Sequence, residues 1–204
     1  MAKAVNPEEF SRRVVEHSSW LKSFRESTET NPYSQLQISD ATIAAVILNG
    51  QDCTSASLNG CRFVSCSFSV CLFDACEFIN AVFEGCVFEK CVLRKADLRG
   101  SHALRSTFSS CDFTRADLTD ASLAGSVLTA SVFNYSWLIR TDLRNCELSG
   151  ISLEHTRISE AKLFNANKFR LGSIVEVSST VIDWSIAGDG TDLIDFNEAR
   201  KRLE

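Results

Sequence analysis

CRFVSCSFSVCLFDACEFIN, residues 61–80, is one five-residue pattern written four times. Phe63, Phe68, Phe73 and Phe78 fall five apart, and a cysteine (Cys61, Cys66, Cys71, Cys76) stands two residues ahead of each. The register continues outward in both directions, from Ile38 to Leu163. It has 26 centres, of which 24 are Leu, Ile or Phe; Cys53 and Ala103 are the other two. Of the residues two places before a centre, 22 are Ala, Cys, Ser or Thr, with Leu36, Val46, Gln51 and Ile151 as exceptions. A fixed short period decides the architecture before any motif does.

In an extended segment, residues two apart point to the same side. The small residue and the large centre therefore face inward together, and the residue between them faces out. Two residues remain to turn a corner. The glycines within the repeats (Gly50, Gly60, Gly85, Gly100, Gly125 and Gly150) all take the last place of a pentad, as do Asn80, Asp120, Asn145 and Asn165. These residue types suit turns and tolerate positive φ. A helix is excluded, because a period of five keeps no single apolar stripe on a 3.6-residue spiral. The only prolines, Pro7 and Pro32, lie upstream, where they delete no ladder hydrogen bond. The chain is expected to wind as a solenoid whose coils stack at roughly 4.8 Å.

ADLRG (Ala96 to Gly100), ADLTD (Ala116 to Asp120) and TDLRN (Thr141 to Asn145), with CRFVS, CSFSV and CEFIN as a Cys/Phe variant, closely resemble the pentapeptide-repeat family and its motif A(D/N)LXX. The resemblance covers residues 36 to 165. It implies an all-β solenoid, a right-handed quadrilateral β-helix with four pentads per coil, so that residues twenty apart stack. The repeats would then make about six and a half coils, roughly 30 Å of rod. Leu48, Phe68, Phe88, Phe108, Leu128 and Leu148 form one interior column on this reading; Phe63, Phe83, Ala103, Leu123 and Leu143 form another. Ala103 is the weak point. Either a local cavity or a slip turning Leu104 inward is expected there. Filling it with Leu should stabilise a regular register by about 1–2 kcal/mol.

Three segments follow: residues 1–35, a capping helix and linker; 36–166, the β-helix; and 167–204, an irregular C-terminal cap ending in a short helix. Asn6-Pro7-Glu8-Glu9 is a helix start, with a cap, a proline in the first turn and acids behind it. Phe10, Val14, His17, Leu21 and Phe24 recur at helical spacing, so this helix is expected to cover the open end of the first coil. Residues 25 to 35 read as a polar link. After Leu163 the register slips by one, with Phe169 a place late. Ile174, Val177, Val181, Ile182, Trp184 and Ile186 suggest irregular strands, and Asp195 with Glu198 a capping box before a helix to Leu203. This tail is either a cap or a dimerisation surface. The family resemblance implies end-to-end dimers through C-terminal coils, though this tail is long for that.

The net charge is −5 over 204 residues. MAKAVNPEEF carries charge where a signal peptide needs an apolar run, and no stretch approaches a membrane span. A cytoplasmic protein with no membrane contact is expected. Eight of the nine cysteines occupy the small inward place. There a thiol acts as a small hydrophobe in a reduced compartment. Spacing of five sends successive sulfurs to different sides, so four could not converge on zinc at ~2.3 Å. Cys71, Cys91 and Cys111 should stack without bridging. His17, His102 and His155 fall apart from one another. No phosphate loop, paired carboxylate pocket or nucleophile elbow is present. The expectation is no enzyme, no cofactor and no metal.

Function is therefore expected on the outward residues. Glu77, Asp97, Asp117 and Trp137 should line one column, after Ser57 and before Arg157. The family resemblance implies acidic faces that imitate duplex DNA in members protecting DNA gyrase. Against that, residues 36–166 hold 14 acids and 11 bases, and a DNA mimic should be more one-sided. The second candidate is apolar. Leu72, Val92 and Val132 share a column interrupted by Asp112, and Tyr135, Trp137, Ile139 and Arg140 should cluster. Exposed aromatics beside arginine have the composition of interface hot spots. The expected function is a rod that occupies or inhibits a protein partner through a lateral face, as a toxin-immunity protein would. A DNA-mimicking protector of gyrase or topoisomerase IV and a scaffold or effector module are the alternatives. The partner would be a protein, a toxin or a type II topoisomerase, with no direct nucleic acid contact and a possible homodimer through the C-terminal region.

Overall fold

The fold follows from where each pentad's backbone hydrogen bonds go. In the computed structural model, which describes residues 3–25, 35–166, 181–183, 192–195, 198 and 201, they go to the pentads twenty residues away. Four columns of parallel pairings result, one per face. The first face comprises β2 (Ala41–Ala44), β4 (Arg62–Val64), β6 (Val82–Glu84) and β8 (His102–Leu104), followed by bridges through Ser122, Asp142 and Lys162. β3 (Ile47–Asn49), β5 (Ser67–Ser69), β7 (Val87–Glu89) and β9 (Thr107–Ser109) form the second, extended by Val127 and Glu147. The third has single bridges linking Asp52, Leu72, Val92, Asp112, Val132 and Ser152. On the fourth, Gln37, Ser57, Glu77, Asp97, Asp117 and Trp137 are bridged, and β10 (Trp137–Ile139) pairs with β11 (Arg157–Ser159). The solenoid expected from the period, with the four-sided coil implied by the family resemblance, is the fold.

All 26 centres are buried. The columns are in contact: Phe68–Phe88 and Phe88–Phe108 stand 4.7 Å apart, and Phe113–Phe133 stack at 4.8 Å. Every fifth residue from Asp40 to Asn165 has positive φ, 20 of them other than glycine. That is the corner the glycine and asparagine positions marked. At Ala103 the register does not slip: Phe83 pairs with Ala103 and Leu104 stays outward. The Phe108 ring meets Phe83 edge-on at 6.3 Å beside the small residue. Burying Leu104 would have required breaking the ladder on both sides, so the weak pentad follows its neighbours.

The inward small residues also complete the corners. After Phe73 and Phe78 the turn closes on itself, with Cys76 N–H donating to Phe73 O and Ala81 N–H to Phe78 O. After Phe83 the corner is closed through the next coil. Ser106 Oγ donates to Phe83 O at 3.1 Å and accepts from Cys86 N–H at 3.1 Å. Ser131 does the same between Phe108 O and Cys111 N–H. Thiols donate in this way too, as Cys86 does to Phe63 O at 3.4 Å. All nine cysteines are free and buried.

At the start of the chain, β1 (Lys3–Val5) adds a strand to the first face by parallel pairing with β2, an element the sequence pattern did not suggest. α1 (Pro7–Arg25) then crosses the end of the rod, with Asn6 Oδ1 accepting from Glu8 N–H. Phe10, Val14, His17 and Leu21 are buried, and Phe10 meets Phe63 edge-on at 6.2 Å; the side chain of Phe24 and the link that follows lie outside the described residues. At the other end, β12 (Ala161–Lys162) pairs with β13 (Val181–Asp183), so that Ala161 faces Ile182, one residue more than the usual twenty. Phe169, where the slip after Leu163 is expected, lies outside the described residues. β14 (Leu193–Asp195) returns antiparallel to β13. Glu198 and Lys201 are helical and 3.8 Å apart. Most of the tail expected to cap or dimerise, with Ile174, Trp184 and Ile186, lies outside the described residues. Among the described residues, no helix is long and apolar enough to cross a membrane.

Candidate functional site

An outward residue on a rod of this kind has one neighbour above and one below, so its chemistry is set by its column. The fourth face carries the expected sequence of Ser57, Glu77, Asp97, Asp117, Trp137 and Arg157. Its acids are largely occupied. Glu77 accepts from Ser57 Oγ at 2.8 Å and from Asn59 Nδ2 at 2.9 Å. Asp97 is gripped by Arg99 through Nε at 2.9 Å and Nη2 at 2.6 Å. Asp117 Oδ2 lies 3.9 Å from the same guanidinium, and its Oδ1 accepts from Thr119 N–H. One arginine thus neutralises part of two rungs.

Trp137 is 48% exposed and Tyr135 49% exposed, on the same rung. Ile139 is half-buried. Tyr135, Trp137, Ile139 and Arg140 share a rung, and three of them also make contacts along the rod. Tyr135 stacks on His155 at 4.8 Å, Arg157 lies 5.8 Å from the Trp137 ring, and Arg140 holds Asp120 through two bonds of 2.6 and 2.7 Å. Coil stacking brings residues twenty apart closer than outward residues two or three apart. Arg140 consequently lowers the pKa of Asp120 through that hydrogen-bonded pair. On the third face Leu72, Val92 and Val132 form the expected column, broken by Asp112. Leu72 is exposed and the two valines are half-buried. Glu77, Asp97 and Asp117 therefore share one face with Trp137, and the apolar column lies on the adjoining one.

A family description reading "Pentapeptide repeat region" matches residues 81–158. The chain carries a pentapeptide repeat region. Among solved structures, the pentapeptide repeat region is similar to that of a trypsin-treated form of QnrB1, described as a plasmid-mediated fluoroquinolone resistance protein. The two are 22% identical over 69% of this chain and 73% of that one, with a TM-score of 0.41. A pentapeptide repeat protein from the Arabidopsis thaliana thylakoid lumen is 21% identical over 55% of this chain and 79% of its own, with a TM-score of 0.46. HetL, a pentapeptide repeat protein involved in heterocyst differentiation regulation in the cyanobacterium Nostoc sp. strain PCC 7120, is 14% identical over 78% and 92%, with a TM-score of 0.26. The likeness is one of fold, and no residue role is carried across. No curated protein matches the chain in sequence.

Two surface features of the pentapeptide repeat region escaped the reading of the sequence. Ile47 is 79% exposed on the second face, in a column with Val87. It occupies an outward place, so the period alone could have found it. The second is the corner joining the third and fourth faces, where Arg94, Lys95, Arg115 and Tyr135 border an open cleft. Only the twenty-residue stack brings these side chains together.

Proposed function

We propose that this protein acts by binding another protein along the fourth face of the rod, in the manner of an inhibitor or immunity protein. The observation that carries the reading is Trp137, a half-exposed indole on a rigid rung flanked by Tyr135. An aromatic residue held in place by the ladder presents apolar area at little entropic cost. The neutralised acids beside it favour a partner read by shape and apolar contact over one read by charge alone. The reading implies no catalysis, and places the protein in the cytoplasm.

The test is capture of the partner from host lysate by the tagged protein, at low and at high salt, with Trp137→Ala in parallel. A partner retained at high salt and lost with Trp137→Ala supports the proposal. The column Glu77–Asp97–Asp117 favours a second reading, DNA mimicry toward gyrase or topoisomerase IV. It predicts capture of those subunits, lost at high salt and with Asp97→Lys plus Asp117→Lys.

A further inference from the structure

The corner between the third and fourth faces differs in charge from the faces it joins. Successive rungs place there Asp74 with Ala75, Arg94 with Lys95, Thr114 with Arg115, and Asn134 with Tyr135. Ala75 leaves space beside Lys95, and an open cleft of about 560 Å³ extends from Thr54 to Tyr135. Arg94 is committed to Asp74 at 2.7 Å. Lys95 and Arg115 are exposed, and among the described residues neither has a carboxylate within ion-pair distance. They are one coil apart, so two uncompensated cations sit on backbones roughly 4.8 Å from each other. Elsewhere in the repeats Arg62, Arg99, Arg140 and Arg144 each hold an acid. One end of the cleft is firm: Arg115 lies 5.8 Å from the Tyr135 ring, which is itself stacked on His155.

We infer that this cleft binds an acidic segment of polypeptide, with carboxylates seated on Lys95 and Arg115 and an apolar side chain against Tyr135. The inference rests on the reading of the rod as a protein-binding surface and adds the chemistry of the segment bound. A carboxylate between the two cations relieves their repulsion and satisfies both. The charge is too local for nucleic acid. A polyphosphate running along the corner would pass Asp74 and, on the adjoining face, Asp97 and Asp117, whereas a peptide needs only two or so carboxylates to match the two free cations. Trp137, on the rung of Tyr135, extends the same surface.

The experiment is fluorescence anisotropy on the full chain with a labelled hexaglutamate peptide, hexaglutamine as its neutral counterpart, and single-stranded oligothymidylate as competitor. The expected result is binding of hexaglutamate only, weakened at least about tenfold in Lys95→Glu plus Arg115→Glu. Arg105→Glu, an exposed cation on another corner, should change it less than about twofold. All the positions are exposed, and unchanged melting of each variant excludes unfolding as the cause. Equal loss with Arg105→Glu, no loss with the double variant, or displacement of the peptide by oligothymidylate at lower concentration overturns the inference. If hexaglutamate fails while Trp137→Ala still abolishes partner capture, the acidic-segment inference falls and the protein-binding reading stands. If the double variant loses hexaglutamate while Trp137→Ala captures the partner unchanged, the cleft is upheld and the Trp137 reading falls.

Discussion

Ser106 and Ser136 occupy the same inward place of their pentads, and both are buried, yet substitution by alanine should destabilise only at Ser106. Ser106 Oγ joins Phe83 O to Cys86 N–H, so Ser106→Ala strands two backbone groups at a corner with no turn bond of its own. A loss of about 1–2 kcal/mol is expected in urea unfolding. Ser136 Oγ is buried with no hydrogen-bond partner among the described residues, so Ser136→Ala should be neutral or raise stability by up to about 1 kcal/mol. Val70 shows the limit of corner tolerance. It is β-branched, half-exposed and held at φ 54°. Asparagine visits that region readily, so Val70→Asn should raise stability by about 1 kcal/mol, measured in the same way. The six glycines revealed these corners from sequence, but the corner does not require glycine. Twenty other residues adopt it because ladder bonds on both sides outweigh the local strain.

α1 is held to the rod by polar as well as apolar contacts, and His17 is the main one. Leu36 N–H donates to Nδ1 at 3.0 Å, so Nε2 carries the proton and donates to Thr54 O at 2.9 Å. Burial pushes the imidazole pKa below its usual 6.5, against the opposing influence of the Thr54 carbonyl and of Asp52. A second proton would displace the Leu36 bond. The unfolded chain therefore binds more protons than the folded one between pH 6.5 and the lowered folded value. Stability is fully present above that window and falls as pH drops through it, by at most about 1.4 kcal/mol per pH unit. His17→Ala should cost about 2 kcal/mol at pH 7.5 and remove this pH dependence, read from unfolding at pH 7.5 and 5.5. The helix itself was legible in Asn6-Pro7-Glu8-Glu9 and the apolar stripe. The strand β1 before it was not, because three residues carry no period and Lys3–Val5 is a strand only through pairing with β2.

Along the whole rod the interior is one continuous stack, so a defect at any rung is felt by both neighbours. Ala103 keeps the regular register between Phe83 and Leu123. Ala103→Leu places there a large apolar side chain like those at 24 of the 26 centres. It should raise stability by about 1 kcal/mol without altering the β-rich circular dichroism. Trp137→Ala, on the outside, should leave stability within about 0.5 kcal/mol while abolishing partner capture. This pair separates the two roles of the rod, its inside holding the fold and its outside presenting a surface.

The period of five by itself determined the solenoid and its buried centres; the resemblance of the repeats to a known family supplied the twenty-residue coil, and with it the membership of each column. A side-chain alternation of two combined with a period of five leaves few other ways to bury 26 centres. Trp137 was identifiable as an outward residue for the same reason, and Tyr135 and Arg140 as corner residues. The twenty-residue stack named their neighbours, but not the contacts made there: a ring stacked on His155, the Arg157 guanidinium by the Trp137 ring and an ion pair with Asp120. Tertiary structure alone decided that Arg99 neutralises Asp97 while, among the described residues, Lys95 and Arg115 have no carboxylate partner. Which acid a guanidinium reaches, within its own rung as for Arg99 or across the ~4.8 Å to the next coil as for Arg140, depends on its rotamer, and no count of acids and bases contains that information.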